Sequence, residues 1–278
     1  MSILAAASQL SVAPKVDNRP LRVVLCTRGG LFGERVLARL LTCDQIELCG
    51  IARSSRVFDA RYGFLRGAVA YLRRTGLAYS VYLLFATDVA DAVGALRRPS
   101  DRRLPRIPVH TTRNLNDERG LQFLRDCSPD LLVSAFFDQR LHEEALAIPK
   151  RGCVNIHPSL LPAFRGVDPV LRARLQGASQ VGVTLHYMTP EFDAGNVLAQ
   201  QPVATRNNAS IFETTAEIYD RGAALLTEEV LGSIKFGHPG TPQSPGGSYE
   251  SWPTRSEVRM LHAGGWTLLR LSDYWRNP

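Results

Sequence analysis

Three side chains in two short blocks carry the chemistry open to this sequence. Asn155 and His157 stand one residue apart in Gly152-Cys153-Val154-Asn155-Ile156-His157-Pro158, and Asp193 opens the run Asp193-Ala194-Gly195. A carboxamide N–H suits an oxygen that gains negative charge. An imidazole, with an ordinary pKa of about 6.5, can donate to that oxygen or move a proton near neutrality. A carboxylate can orient the imidazole or relay a proton through water. Each residue alone also has a plain reading, since Asn, His and Asp at turns commonly satisfy backbone groups. The chemical reading therefore requires elements that bring the two blocks together.

The spacing predicts a strand over 152–157 that Pro158 ends, with Pro162 closing the loop. Side chains at i and i+2 leave one face of a strand, so Asn155 and His157 point the same way from its carboxyl end. In open parallel sheets ligands bind at that end. Upstream, 21–26 reads as a buried strand, 27–33 as a glycine-rich turn into a helix ending near 41, and 46–52 as a second strand. A short strand over 105–110, a helix over 116–127 capped by Asn116, and a strand over 130–135 buried on both faces follow. Strands alternating with helices through 21–157 predict an α/β fold, a mostly parallel twisted sheet flanked by helices. Downstream, 181–188 alternates as a strand, 210–236 reads as one amphipathic helix, and 237–247 as a Pro/Gly linker before a short tail.

Basic, helix-favouring sequence fills 53–106, with one helix over 60–74, a break at Thr75-Gly76, and a second over 77–97. The second contains the apolar run from Leu77 to Ala86, which Asp88 and Asp91 interrupt well short of the roughly 20 residues that a membrane span needs. Three readings stay open for it: core packing, a homodimer or acceptor-binding surface, or a helix on a membrane surface. A hydrophobic pair of helices bordering the cleft would suit a greasy or carrier-bound ligand.

Together the blocks Asn155-x-His157-x-Ser159-Leu160-Leu161-Pro162 and Asp193-x-Gly195, with a strand between them, resemble the signature of the folate-dependent formyltransferases. That superfamily includes glycinamide ribonucleotide transformylase and methionyl-tRNA formyltransferase, and the similarity runs over about 21–205. The resemblance implies the formyltransferase fold with a Rossmann-like N-terminal half, and N10-formyltetrahydrofolate as co-substrate. It implies Asn155, His157 and Asp193 as catalytic residues, with the acceptor amine attacking directly and no metal required. It places the folate against Phe136, Phe137, Asp138, Gln139, Arg140, Leu141 and Phe192, although Phe136 and Phe137 also read as core. Arg28, Ser159 and Arg165 complete the expected site on the substrate side, with Arg165 read either as an anion holder or as a solvated loop residue. His186 reads as structural.

Two departures bear on the substrate. The turn over 27–33 lacks both the Gly-x-Gly-Ser-Asn phosphate pattern of the purine enzyme and the dinucleotide fingerprint. Phe164-Arg165-Gly166-Val167-Asp168-Pro169 is closer to the Arg-Gly-x-x-Pro run of methionyl-tRNA formyltransferases, yet 206–278 is too short for the barrel domain those enzymes carry. The expected activity is formyl transfer to the primary amine of a small or carrier-bound metabolite, such as an aminosugar or biosynthetic intermediate. A divergent methionyl-tRNA formyltransferase, with tRNA as partner, and a non-catalytic folate-binding regulator are the alternatives.

Composition sets the outer bounds. The 278 residues, 45% hydrophobic and 21% charged, suit a folded domain with a sizeable core. The expected division is a flexible extension over 1–20, a catalytic domain over 21–205 with the insertion 53–106, and a C-terminal helix, linker and tail over 206–278. A formal charge of +7 rests on arginine, since Lys15, Lys150 and Lys235 are the only lysines. Such a bias suits phosphate or carboxylate partners, or reflects an arginine-rich codon usage. The five cysteines have no paired spacing and read as reduced core residues of a cytoplasmic protein. No basic segment precedes the small apolar residues at the N-terminus, which argues against a signal peptide.

Overall fold

The computed structural model describes residues 19–55, 64–89 and 106–273, apart from Ser179, Thr205, Asn207, Ser248 and Leu271. Residues 1–18 of the extension expected over 1–20, residues 60–63 of the helix expected over 60–74, and residues 90–97 of the helix expected over 77–97 lie outside the described residues.

Seven strands form one sheet in the order β3-β2-β1-β4-β5-β7-β8. Their ranges are β1 Leu21–Thr27, β2 Ile46–Ser54, β3 Val109–Thr112, β4 Leu131–Ala135, β5 Cys153–His157, β7 Val181–Tyr187 and β8 Val197–Val203. The first five in that order run parallel, and β7 and β8 are antiparallel additions. β4 is buried at every position, as its mostly apolar run, broken only by Ser134, requires when helices cover both faces. The chain leaves β1 for β2 and β3, then returns to build β4 on the other side, so the strand order reverses between β1 and β4. The carboxyl ends part there and leave a crevice, bridged by Arg28 N–H donating to Phe136 O at 2.9 Å.

Helices α1 Gly30–Thr42 and α7 Ile211–Leu225 cover one face of the sheet. Phe32 of α1 meets Phe212 and Tyr219 of α7 at ring-centroid distances of 5.2 and 5.6 Å. α7 continues through a π turn, Leu226–Val230, into α8 Leu231–Lys235, so one long helix follows its Ser210 cap. The single helix expected over 210–236 forms, but its burial goes beyond one amphipathic face: eleven of the fifteen residues of α7 are buried, because the helix lies in the core against α1 and the sheet. α4 Glu118–Cys127 corrects a second reading, since its cap is Asp117, whose carboxylate accepts from Gly120 N–H at 2.8 Å. Asn116 instead ties two loops, accepting from His142 N–H and donating to Arg140 O. β3 starts later than the expected 105–110 because its paired residues face Ile51 to Ser54 of β2.

The inserted and C-terminal segments wrap the open edge of the crevice. α2 Phe64–Thr75 and α3 Leu77–Leu84, with a π turn Phe85–Val89 after it, bury Tyr79, Tyr82 and Ala86 while Leu77 and Leu84 stay exposed. No helix among the described residues is long and apolar enough to cross a membrane. The tail is more ordered than a linker. β9 Tyr249–Glu250 pairs in parallel with β6 Arg165–Gly166, and α9 Arg255–Ala263 opens with a Thr254/Glu257 capping box. α9 packs on α2 and on α6 Pro169–Leu175.

Candidate active site

A cavity of about 730 Å³ opens at the carboxyl ends of β1, β4 and β5. Asn155 and His157 enter its floor from one face of β5, and Asp193 enters from the loop after β7. The three are brought together: His157 Nδ1 lies 3.4 Å from Asp193 Oδ1, and Asn155 Nδ2 donates to the same oxygen at 3.4 Å. The two residues are nearly closed off, with side-chain exposures of 4% and 10%.

Backbone groups decide what each member can do. His157 Nε2 stands 3.1 Å from Phe164 O, and a carbonyl only accepts, so this nitrogen carries the hydrogen. The neutral ring then turns the lone pair of Nδ1 toward Asp193. Burial lowers the pKa of His157 against the opposing pull of Asp193, so the ring is neutral at pH 7 and acts as a proton acceptor at Nδ1. Burial alone would raise the pKa of Asp193, but the charge that His157 gains on protonation, the His186 ring and the N–H of Gly166, which donates to Oδ2 at 2.8 Å, hold it at about 2. Its fixed negative charge favours the imidazolium that forms when His157 takes a proton.

His186 belongs to this cluster. Its Nδ1 donates to Tyr187 O at 2.8 Å, leaving Nε2 to accept from Asn155 Nδ2 at 3.2 Å. The antiparallel register of β5 and β7 sets Asn155 directly opposite His186. One amide hydrogen of Asn155 is thus anchored, while the other sits on the long contact to Asp193 and can move to an oxygen in the cavity. Asp193 adopts a left-handed backbone conformation, φ 53°, which Asp tolerates better than most residues. Gly195 serves close approach: a Cβ there would lie 1.9 Å from Tyr187 O. Gln243, in the segment expected to be a linker, donates to Asp193 O and Gly195 O at 2.9 and 2.8 Å and accepts from Arg165 Nη2.

The run expected to face folate forms a continuous wall. Phe136, Phe137, Asp138, Gln139, Arg140 and Leu141 all line the cavity, as does Phe192 on the facing loop, and Arg140 Nε donates to Pro190 O to join the two. Within that wall Gln139 is committed to structure, accepting from Leu115 N–H and donating to Ser54 and Thr112. Phe136 also packs in the core, 5.0 Å from Phe32, so the two readings of it coexist. Arg28 lines the cavity beside Asp138, at 3.7 Å. Ser159 and Arg165 are not brought to the cavity lining. Ser159 is 3% exposed and its hydroxyl donates to Ala163 O, while Arg165 is turned to Gln243. Lining residues that the sequence did not suggest include His186, Asp168, Tyr71, Tyr79, Tyr249 and Trp252.

An open α/β sheet with an Asn–His–Asp cluster at its strand ends defines a class that comparison with known proteins makes specific. The formyl transferase family model matches residues 86–230. A methionyl-tRNA formyltransferase of Moorella thermoacetica is 36% identical over 162 residues, 56% of this chain and 50% of that protein. The chain thus spans about half the length of the curated relatives it matches. Among solved structures, a phosphoribosylglycinamide formyltransferase from Anaplasma phagocytophilum superposes with a TM-score of 0.54 at 21% identity, covering 84% of this chain and 98% of that one. A sugar N-formyltransferase from a Shewanella species gives 0.53 at 16% identity, covering 83% and 76%. The chain belongs to the formyl transferase family.

Proposed function

We propose that the protein transfers a formyl group from N10-formyltetrahydrofolate to the primary amine of a small or carrier-bound metabolite. The observation that carries this reading is the pairing of a neutral His157, open at Nδ1, with an ionised Asp193 beside an Asn155 amide on the cavity floor. The donor supplies an activated formyl carbon. Asn155 donates an N–H to the formyl oxygen as negative charge grows there, a contribution of about 3 to 4 kcal/mol for such a donor. As the new C–N bond forms, His157 Nδ1 takes the proton from the acceptor nitrogen. Asp193 stabilises the imidazolium, which returns the proton to N10 as the N10–carbon bond breaks. The wall from Phe136 to Leu141 with Phe192 supports the folate assignment, because it offers apolar surface and main-chain groups suited to a flat heterocycle.

A divergent methionyl-tRNA formyltransferase is the second reading, favoured by the Moorella thermoacetica relative. A folate-binding regulator without catalysis is disfavoured by the assembled cluster. Single-turnover transfer from the formyl donor to a panel of amines and to charged initiator tRNA separates the three. Transfer to small amines with weak salt dependence supports the main reading; transfer to tRNA that falls steeply with salt supports the second. Folate binding without transfer to any acceptor leaves the third.

A further inference from the structure

One wall of the cavity is made by residues outside the stretch that the family model matches. Tyr71 and Tyr79 come from α2 and α3, and Trp252 from the tail, whereas the family match spans 86–230. Their rings form one aromatic surface: Tyr71 meets Trp252 at 5.3 Å, and Tyr79 lies 6.4 Å from each. Into this surface projects Asp168, a further cavity residue, whose Oδ2 accepts from the Tyr79 hydroxyl at 2.9 Å. Asp168 is held in a left-handed conformation, φ 51°, which costs a residue with a side chain something that glycine would not pay. Burial raises its pKa to about 6 against the Tyr79 hydrogen bond, so it stays ionised at neutral pH. Arg172, which acts on Asp168 through its charge, is itself engaged by Glu257 and by Ser251 O. Of the arginines that line the cavity, Arg28 lies beside Asp138 and acts through its charge on Tyr71, Arg140 donates to Pro190 O, and Arg74 is exposed.

A carboxylate that lines a cavity beside electron-rich rings, one of which donates its hydroxyl to it, is complementary to a positively charged nitrogen, and it repels phosphate. We propose that Asp168, with Tyr71, Tyr79 and Trp252, forms a subsite for a second, cationic nitrogen of the acceptor, an alkylammonium group distinct from the neutral amine that is formylated at His157. The proposal rests on the formyltransferase reading only in calling that ligand the acceptor. It gives the inserted helices and the tail a part in acceptor choice, since Tyr71, Tyr79 and Trp252 surround an Asp168 that belongs to the family-matched core.

The test uses choline and its neutral carbon isostere 3,3-dimethylbutan-1-ol as probes on the full chain, with binding read by tryptophan fluorescence and calorimetry. Choline is expected to bind about tenfold or more tightly than the isostere. Asp168→Asn keeps the side-chain size, tolerates a left-handed backbone and still accepts from Tyr79, so it isolates the charge. It should abolish the preference for choline without lowering the thermal midpoint, and raise KM for a transferable amine that carries a second, quaternary ammonium group about tenfold while changing kcat far less. Equal affinity for the two probes, no choline binding at millimolar concentration, or an unchanged preference in Asp168→Asn overturns the proposal. Binding of a reduced folate is measured in parallel. Folate binding without choline preference sinks the subsite and leaves the transferase reading, and choline preference without folate binding does the reverse.

Discussion

Asp193→Asn probes the site with the least disturbance elsewhere. Asparagine is nearly the same size, is at home at φ 53°, and its carbonyl oxygen can still accept from Gly166 N–H. What it removes is one negative charge 3.4 Å from His157 Nδ1. At an effective dielectric constant of about 20, two unit charges at that distance interact by about 5 kcal/mol. If the proton is about half transferred at the top of the barrier, about half of that is lost, which is roughly a hundredfold in kcat. Single-turnover formyl transfer at saturating donor and acceptor should show this fall, with the affinity for a reduced folate unchanged within about threefold. A folded Asp193→Asn protein with kcat within about threefold of the parent would refute the assignment of His157 as a base stabilised by Asp193.

Four further outcomes follow from the same geometry. His157 must be neutral to accept a proton and its pKa lies below the usual histidine value, so kcat should hold as pH falls to about 6.5 and drop only below it; an acid limb centred above 6.5 would contradict the burial argument. Asp193, depressed from 3.8 to about 2, contributes stability that is complete above pH 3.8 and lost as pH falls toward 2; this amounts to about 2 kcal/mol, and acid titration of denaturant midpoints should show a shallower fall in Asp193→Asn. Gly195→Ala drives a methyl group into a backbone oxygen that β7 holds in place, so it should cost about 1 to 3 kcal/mol in thermal or denaturant unfolding and lower kcat, because the Asp193 loop must shift. Gln243→Ala removes two hydrogen bonds to that loop, worth about 1 kcal/mol each, and should lower kcat more than it raises KM for either substrate; an unchanged kcat would show that the loop is held without it.

The parts of this site legible in the sequence are those governed by short-range rules. Asn155 and His157 share a face because strand side chains alternate, and Pro158 places them at a strand end. The run 131–135 reads as a doubly covered strand because Leu131, Leu132, Val133 and Ala135 put apolar side chains on both of its faces. Local rules failed where a residue had a distant partner. Asn116 looked like a helix cap, but the loop carrying Arg140 and His142 takes both ends of its amide, leaving the cap to Asp117. The helix from Ile211 looked amphipathic, yet it lies within the core, where its small and hydroxyl-bearing residues allow close packing.

What the sequence determined by itself was the alternation of strands and helices, the two polar blocks and the chemistry of their side chains, all of them properties of residues within a few positions of one another. Only the tertiary structure decided which nitrogen of His157 faces Asp193, through the carbonyl of Phe164, and that His186 stands across from Asn155, through an antiparallel register. It also decided that Gln243 supports the Asp193 loop and that Tyr71, Tyr79 and Trp252 meet around Asp168. Apart from the contact of His157 with Phe164, those pairings join positions tens to nearly two hundred residues apart in the chain, and no local periodicity records which distant surface a side chain will meet once the core has closed.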